Sequence, residues 1–240
     1  MKNITIITGG SKGLGKELAK EFLKKKENVC LIARNKKDLK QTQNELSKMY
    51  EGEVIIYSGD ISDENFVKNF YADISKKYNI NCLVNNAGVG RFGTIYENNL
   101  QMLEEIFSAI VYGTILMTTY ALPYLKNNKD ISKIVNIISQ SALKPFKFES
   151  AYCSAKFAQD GFAKCLRAET FGTNIKVINV YPGGIDSPFW EQNRNYVNSN
   201  IQKTFAKPNE VANLIVENLY NRESLVIKDL VLEQKHMNLE

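Results

Sequence analysis

The sequence predicts one α/β domain, built on a mostly parallel, doubly wound sheet of about seven strands with helices on both faces. Two observations predict it. Short β-branched runs alternate with longer amphipathic stretches, the signature of repeated β-α-β units. The strand runs are apolar almost throughout, as strands covered on both faces must be. No Pro/Gly/Ser linker, low-complexity tract or internal repeat divides residues 1–240, so a single domain is expected over that span.

Strand-like runs fall at 4–8, 29–33, 53–57, 81–85, 133–138 and 176–181, with a last one at 225–232. Helical patterns lie between them at 13–26, 36–50, 64–77, 100–125, 151–171 and 208–221. Residues 186–205, which hold Phe189, Trp190 and Tyr196, show no clear periodicity. Long loops in compact domains usually serve function, so a substrate lid is expected at 186–206.

Composition narrows the function classes. The net charge of +5 comes from lysines scattered among acids, and the runs at 24–26 and 36–37 have no interleaved aromatics. They read as solvated helix faces, and no nucleic-acid partner is expected. No uninterrupted apolar run approaches the ~18 residues of a membrane span, and the opening apolar run 4–7 is too short for a signal-peptide core. A cytoplasmic location without a membrane partner is therefore expected. Cys30, Cys82, Cys153 and Cys165 show no Cys-x-x-Cys spacing, and His236 is the only histidine. A histidine triad and a metal site are not expected.

The first strand runs into Thr8-Gly9-Gly10-Ser11-Lys12-Gly13-Leu14-Gly15 and then directly into a helix. Glycines let the backbone turn sharply against a pyrophosphate, and the N–H groups and dipole of the helix start attract its charge. With a strand before it and a helix after it, the loop points to a Rossmann-type nucleotide site. Dinucleotide choice follows from the end of the second strand, Leu31-Ile32-Ala33-Arg34-Asn35, which has no carboxylate to accept from a ribose 2′-hydroxyl. Arg34, whose planar guanidinium suits bidentate phosphate binding, and Lys12 inside the loop favour a 2′-phosphate instead. NADP(H) is the expected cofactor.

Tyr152 and Lys156 stand four apart on a predicted helix, so both project from one face. A free phenol, with a pKa of about 10, exchanges protons poorly at neutral pH. A neighbouring ammonium is expected to bring it towards the working range. Phe146, Phe148, Phe189 and Trp190 stand where they would line an apolar substrate pocket.

Taken in order, Thr-Gly-x-x-x-Gly-x-Gly at 8–15, Asp60-Ile61, Asn85-Asn86-Ala87-Gly88, Ser139, Tyr152-x-x-x-Lys156 and Pro182-Gly183 resemble the short-chain dehydrogenase/reductase family. The resemblance is to its single-domain branch, since the extended branch would place a glycine where this chain has Lys12. It covers most of the chain, and each motif follows a predicted strand's carboxyl end, where open α/β sheets bind ligands.

The resemblance implies that Gly9, Gly13 and Gly15, with Ser11, Lys12 and Leu14 between them, shape the pyrophosphate loop. Asp60 and Ile61 would contact the adenine, Asn86 would lie under the nicotinamide-side ribose, Ile185 would touch the carboxamide region, and Pro182 would also bind the cofactor. It further implies Tyr152 as general acid/base, Lys156 as its electrostatic modifier and ribose ligand, and Ser139 as stabiliser of the substrate oxygen. A small-molecule carbonyl or alcohol substrate and a homodimer or homotetramer complete the expectation.

Two departures stand out. Family members usually carry an asparagine three residues before a glycine and thirteen before a proline in the fourth helix; counting from Gly113 and Pro123, this chain has Ile110. Isoleucine cannot hold the water that links the lysine to solvent, which puts the proton relay in question. Thr114, one turn on, is a candidate substitute. A catalytically weak NADP(H) sensor or scaffold is the alternative reading that Ile110 supports. The milder departure is Ser187, where the family often has threonine.

Overall fold

The computed structural model describes residues 1–220 and 225–234. His236 and the last predicted helical residue, 221, lie outside them. Seven strands, β1 (Lys2–Thr8), β2 (Asn28–Ala33), β3 (Val54–Ser58), β4 (Tyr78–Asn85), β5 (Ser132–Ile137), β6 (Ile175–Pro182) and β7 (Asp229–Leu232), form one sheet in the order β3-β2-β1-β4-β5-β6-β7. Every pairing is parallel. The chain winds outward from β1 to β3, returns to place β4 on the other side of β1, and winds outward again. That reversal leaves a crevice at the carboxyl ends of β1 and β4, where such sheets hold ligands.

Alternate strand residues face opposite sides. Ile7, Leu31, Val84 and Val135 pack under α1 (Gly13–Lys24), α2 (Lys36–Met49) and the late helix Pro208–Glu217, through Leu18, Phe22, Leu39 and Ile215. Ile6, Ile32, Leu83 and Ile134 pack under α3 (Glu64–Ile74) and the helix Gly113–Lys126, through Val67, Phe70, Met117 and Ala121. Asn35 and Asp63 cap α2 and α3 by accepting from first-turn backbone N–H groups.

Three expectations change on folding. The helix predicted over 100–125 is α4 (Leu100–Phe107) and α5 (Gly113–Lys126), joined by a π-helical turn at Ser108–Tyr112 that contains Ile110. The whole stretch Leu100–Lys126 is long and apolar enough to pass for a membrane span, which the absence of uninterrupted apolar runs concealed. Its apolar residues Ile106, Ile110, Met117, Ala121 and Leu125 are fully buried in the protein's own core. The aperiodic 186–206 segment is built of short pieces: single helical turns at Pro188–Trp190 and Arg194–Tyr196 and α7 (Ser199–Gln202), ahead of α8 (Pro208–Glu217). It returns to the sheet edge through the bridge between Ile185 and Ala206.

A polar ladder crosses the apolar core. Asn85, Asn136 and Asn179 share one register on β4, β5 and β6 and are almost wholly buried. The Asn85 amide donates to Thr118 Oγ1 and Asn136 Oδ1, both at 3.0 Å, and the Asn136 amide donates to Asn179 Oδ1 at 3.1 Å. Removing the middle rung strands a donor and an acceptor, and each buried orphan costs about 1–3 kcal/mol. Asn136→Leu is therefore expected to lower the melting temperature by roughly 5–15 °C, read by thermal denaturation. An unchanged melting temperature would show that the ladder contributes nothing net.

Candidate active site

All fifteen residues assigned from the sequence to catalysis or cofactor binding line one cleft of about 1080 Å³ at the carboxyl edge of the sheet. The cleft is larger than a single drug-sized ligand needs. At one end the glycine loop leaves β1. Gly9 and Gly13 have φ of +65° and +55°, which glycine alone adopts freely. A Cβ on Gly15 would stand 2.3 Å from the Gly9 carbonyl oxygen, so the helix start packs on the loop only because that position has no side chain. Lys12 precedes α1 without capping it by its side chain, so first-turn N–H groups face the cleft unsatisfied.

Asn86 fastens this loop to the end of β4. Its amide donates to the carbonyls of Thr8, at 2.9 Å, and Gly9, at 3.3 Å, while Thr8 Oγ1 accepts from the backbone N–H of Asn86 and of Ala87. Asp60 closes a turn by accepting from the Ser62 backbone N–H and hydroxyl. Ile61 is buried, and its side chain packs where a Cβ on Gly113 would intrude. Arg34 and Lys12 are exposed at the cleft and form no ion pair with a carboxylate among the described residues. Two unneutralised cations beside a helix start make a strong anion site.

The other end of the cleft lies over β5 and α6 (Ser150–Glu169). Glu149, Tyr152, Lys156 and Gln159 follow offsets of three, four and three, which place them along one helical face. Ser139, just past β5, lines the cleft together with Tyr152, and its Oγ accepts from the Ser141 backbone N–H at 3.1 Å. The Lys156 amine lies 5.8 Å from the centre of the Tyr152 ring and donates to the Ile137 carbonyl, at 3.0 Å, and to Gln159 Oε1, at 2.9 Å. Gln159 Nε2 in turn donates to Thr114 Oγ1 at 3.0 Å. Thr114 thus reaches the lysine through an intervening amide, and Ile110 is fully buried in an apolar cluster with Phe92, Ala151 and Tyr152.

Electrostatics here differ from the sequence reading, in which the ammonium draws the phenol's pKa down. Burial pushes the Tyr152 phenol well above its ordinary value, helped by the Glu149 charge and opposed by the Ser139 hydrogen bond. Burial also pushes the Lys156 amine down to about 7. The physical reason is common to both: withdrawal from water penalises every charged form. A neutral phenol is a proton donor, the state that reduction of a carbonyl requires.

A depressed lysine has a stability signature. Below pH 7 the folded chain must hold a buried ammonium that the unfolded chain carries in water, so Lys156 opposes folding there. The penalty fades as pH rises from about 7 towards the ordinary lysine value of 10.5. Compared with Lys156→Met, the wild type should gain about 2 kcal/mol of relative stability between pH 7 and 9, measured by urea denaturation. Parallel curves for the two proteins would rule the depressed amine out.

Phe146, Phe148, Phe189 and Trp190 all line the same end, as the sequence suggested, and Phe92 packs edge-on to Tyr152, Phe189 and Trp190. Sequence reasoning missed Glu149, Ser141 and Gln159. The three-residue spacings that tie Glu149 to Tyr152, and Lys156 to Gln159, were the available signal.

Comparison with known proteins adds an independent line. A family model described as short chain dehydrogenase matches residues 3–198. The chain is 30% identical over 241 residues to a sepiapterin reductase of Chlorobaculum tepidum, covering 97% of this chain and 96% of that protein. It is 31% identical over 244 residues to an NADP-dependent 3-hydroxy acid dehydrogenase of Schizosaccharomyces pombe, covering 96% and 92%. Among solved structures, an alcohol dehydrogenase from the archaeon Thermococcus sibiricus, complexed with 5-hydroxy-NADP, superposes with a TM-score of 0.90 at 21% identity over the whole of both chains. The L-sorbose reductase from Gluconobacter frateurii, complexed with NADPH and L-sorbose, superposes at 0.88 with 23% identity, covering 100% of this chain and 98% of that one. These two likenesses establish the fold.

Proposed function

The chain belongs to the short-chain dehydrogenase family, and from that premise we propose that it is an NADP(H)-dependent oxidoreductase interconverting a small carbonyl compound and its alcohol. One observation carries the reading: Ser139, Tyr152 and Lys156 meet at one end of a cleft whose other end is a cation-flanked glycine loop. The cradle fits a dinucleotide, because side-chain-free Gly9 and Gly15 let the loop pack tightly on Asn86 and Ala87 at the cleft, and no side chain caps the α1 start. Gly9, Gly13 and Gly15 would hold the pyrophosphate, Arg34 and Lys12 a 2′-phosphate, Asp60 and Ile61 the adenine side, and Asn86, Pro182 and Ile185 the nicotinamide side. When bound, the cofactor supplies or accepts the hydride.

The chain's own residues do the remainder. The Ser139 hydroxyl donates to the substrate oxygen and orients it. Tyr152, kept protonated by burial, hands its proton to that oxygen as negative charge develops. Lys156, fixed by Ile137 and Gln159, keeps a donor for the ribose and fixes the local charge. The aromatic wall suits a substrate with an apolar body, and the 186–206 segment, which contributes Phe189 and Trp190 to that wall, serves as the lid that excludes water. A cytoplasmic homo-oligomer remains part of this proposal.

A second reading, an NADP(H) sensor with little turnover, is favoured by one observation: Ile110 packs apolar side chain against Tyr152 where a relay group would be useful. NADPH oxidation against a panel of ketones, 3-oxoacyl thioesters, sugars and steroids separates the two. Turnover of a panel member carries the enzyme reading, whereas tight NADPH binding without turnover of any carries the sensor.

A further inference from the structure

The lysine side of Tyr152 ends in groups that hold their protons. Gln159 Oε1 takes a hydrogen of the Lys156 amine, and its Nε2 occupies Thr114, so an amide stands between the lysine and the next hydroxyl. Beside it, Ile110 offers no hydrogen bond. The opposite side of the phenol is different. Ser139 shares the wall of the cleft with Tyr152 and donates its own proton to Ser141 Oγ at 3.1 Å, and Ser141 Oγ donates to Glu149 Oε2 at 2.9 Å. Three oxygen-bearing groups thus form a hydrogen-bonded line that starts beside the phenol in the cleft, and the last is a half-buried carboxyl on its wall.

We propose that the Ser139–Ser141–Glu149 chain returns a proton to Tyr152 after each reduction, with Glu149 as the group that exchanges it with water in the cleft. This deepens the oxidoreductase reading and rests on it. In the reducing direction, a hydride adds its electron pair to the carbonyl carbon, the C=O π bond breaks, and the Tyr152 proton completes the new O–H. Once both hydroxyls turn to donate towards the phenol, with the Glu149 carboxyl donating to Ser141, the phenolate takes the Ser139 proton, Ser139 takes that of Ser141, and Ser141 takes that of the Glu149 carboxyl. The carboxylate recovers one proton from water, so each turnover consumes one. Alcohol oxidation runs the same line in reverse.

The groups around Glu149 permit this. Tyr152 and Cys153 face it from α6 and Ser141 from the 140–142 turn. Lys144 and Lys147, on the preceding loop, lie over the rings of Phe146 and Phe148 and form no ion pair with it. Burial pushes the Glu149 carboxyl up to about 7, so it both gives and takes a proton near neutrality. Glu149 and Ser141 act through Ser139 and are positioning residues for the proton, not catalytic ones.

The test compares wild type, Glu149→Gln, Glu149→Asp and Ser141→Ala with the panel carbonyl that wild type reduces fastest. Glu149→Gln still accepts from Ser141 but cannot supply a proton, so kcat should fall about 10–100-fold while KM for NADPH stays put. The kcat–pH profile should lose the Glu149 share of its limb near 7, leaving that of Lys156, Glu149→Asp should restore part of both kcat and the limb, and Ser141→Ala should match Glu149→Gln. Infrared difference spectra of the protein without cofactor should show a protonated carboxyl that titrates near 7 in wild type and is missing in Glu149→Gln. Wild-type kcat and an unchanged limb in both Glu149→Gln and Ser141→Ala would overturn the relay and leave the enzyme reading intact. Absence of turnover in wild type itself would overturn both. If Glu149→Gln fails to fold, Ser141→Ala decides by the same two readouts.

Discussion

Tyr152→Phe should lower kcat for NADPH-dependent carbonyl reduction by about 100–10,000-fold, with NADPH binding nearly unchanged. The substitution deletes a single oxygen. Phenylalanine keeps the ring in its cluster with Phe92, Ile110, Ala151 and Phe189, so packing is preserved. What disappears is the phenol that lines the cleft beside Ser139. Without it the alkoxide must be protonated by water in a cleft walled by aromatic rings, where separated charge is poorly solvated. Stopped-flow NADPH oxidation, with binding followed by fluorescence, checks the two halves separately. Turnover within a few-fold of wild type would mean that another group supplies the proton. Because the phenol is pushed up by burial, the donor form should persist to alkaline pH, and loss of rate near 7 is assigned to Glu149 or Lys156.

Arg34→Glu should raise KM for NADPH by about 10–100-fold and leave KM for NADH within a few-fold. Arg34 follows β2 directly, beside the start of α2, and no described carboxylate neutralises it. A charge-assisted bond to a phosphate contributes about 1.5–3 kcal/mol, and each 1.4 kcal/mol is about tenfold in affinity. Its reversal also places a carboxylate where a ribose 2′-hydroxyl can donate. Exposure tempers the effect, so it should shrink as ionic strength rises, to a lesser extent if Lys12 compensates. Equal KM values for NADPH in the two proteins would remove Arg34 from the cofactor argument.

The asymmetry between what was legible and what was not has a physical basis. β2, β4 and β6 announce themselves through local β-branched runs, and the Thr8–Gly15 loop through glycines whose conformations and close contacts exclude other residues. The Tyr152/Lys156 pair is legible because four residues along a helix is a fixed distance. Local rules of this kind travel with the chain wherever it folds.

Other features arise only when distant segments meet. Asn85, Asn136 and Asn179 are three unremarkable strand residues until the parallel register aligns them into a ladder. The π-helical turn at Ser108–Tyr112 leaves no mark in an apolar pattern that continues through it. The line from Tyr152 to Glu149 depends on the 140–142 turn being folded onto the first turn of α6. The sign of the phenol's shift was likewise hidden: sequence spacing shows that a cation is near, but how strongly water is excluded is set by Phe92, Ile110 and Phe189, which come from other parts of the chain. Sequence alone therefore determined the element order, the glycine loop and the shared helical face of Tyr152 and Lys156, because each follows from short-range backbone geometry. Tertiary structure alone decided which groups are withdrawn from water and which hydroxyls and carboxyls meet, because burial is a property of everything packed around a group.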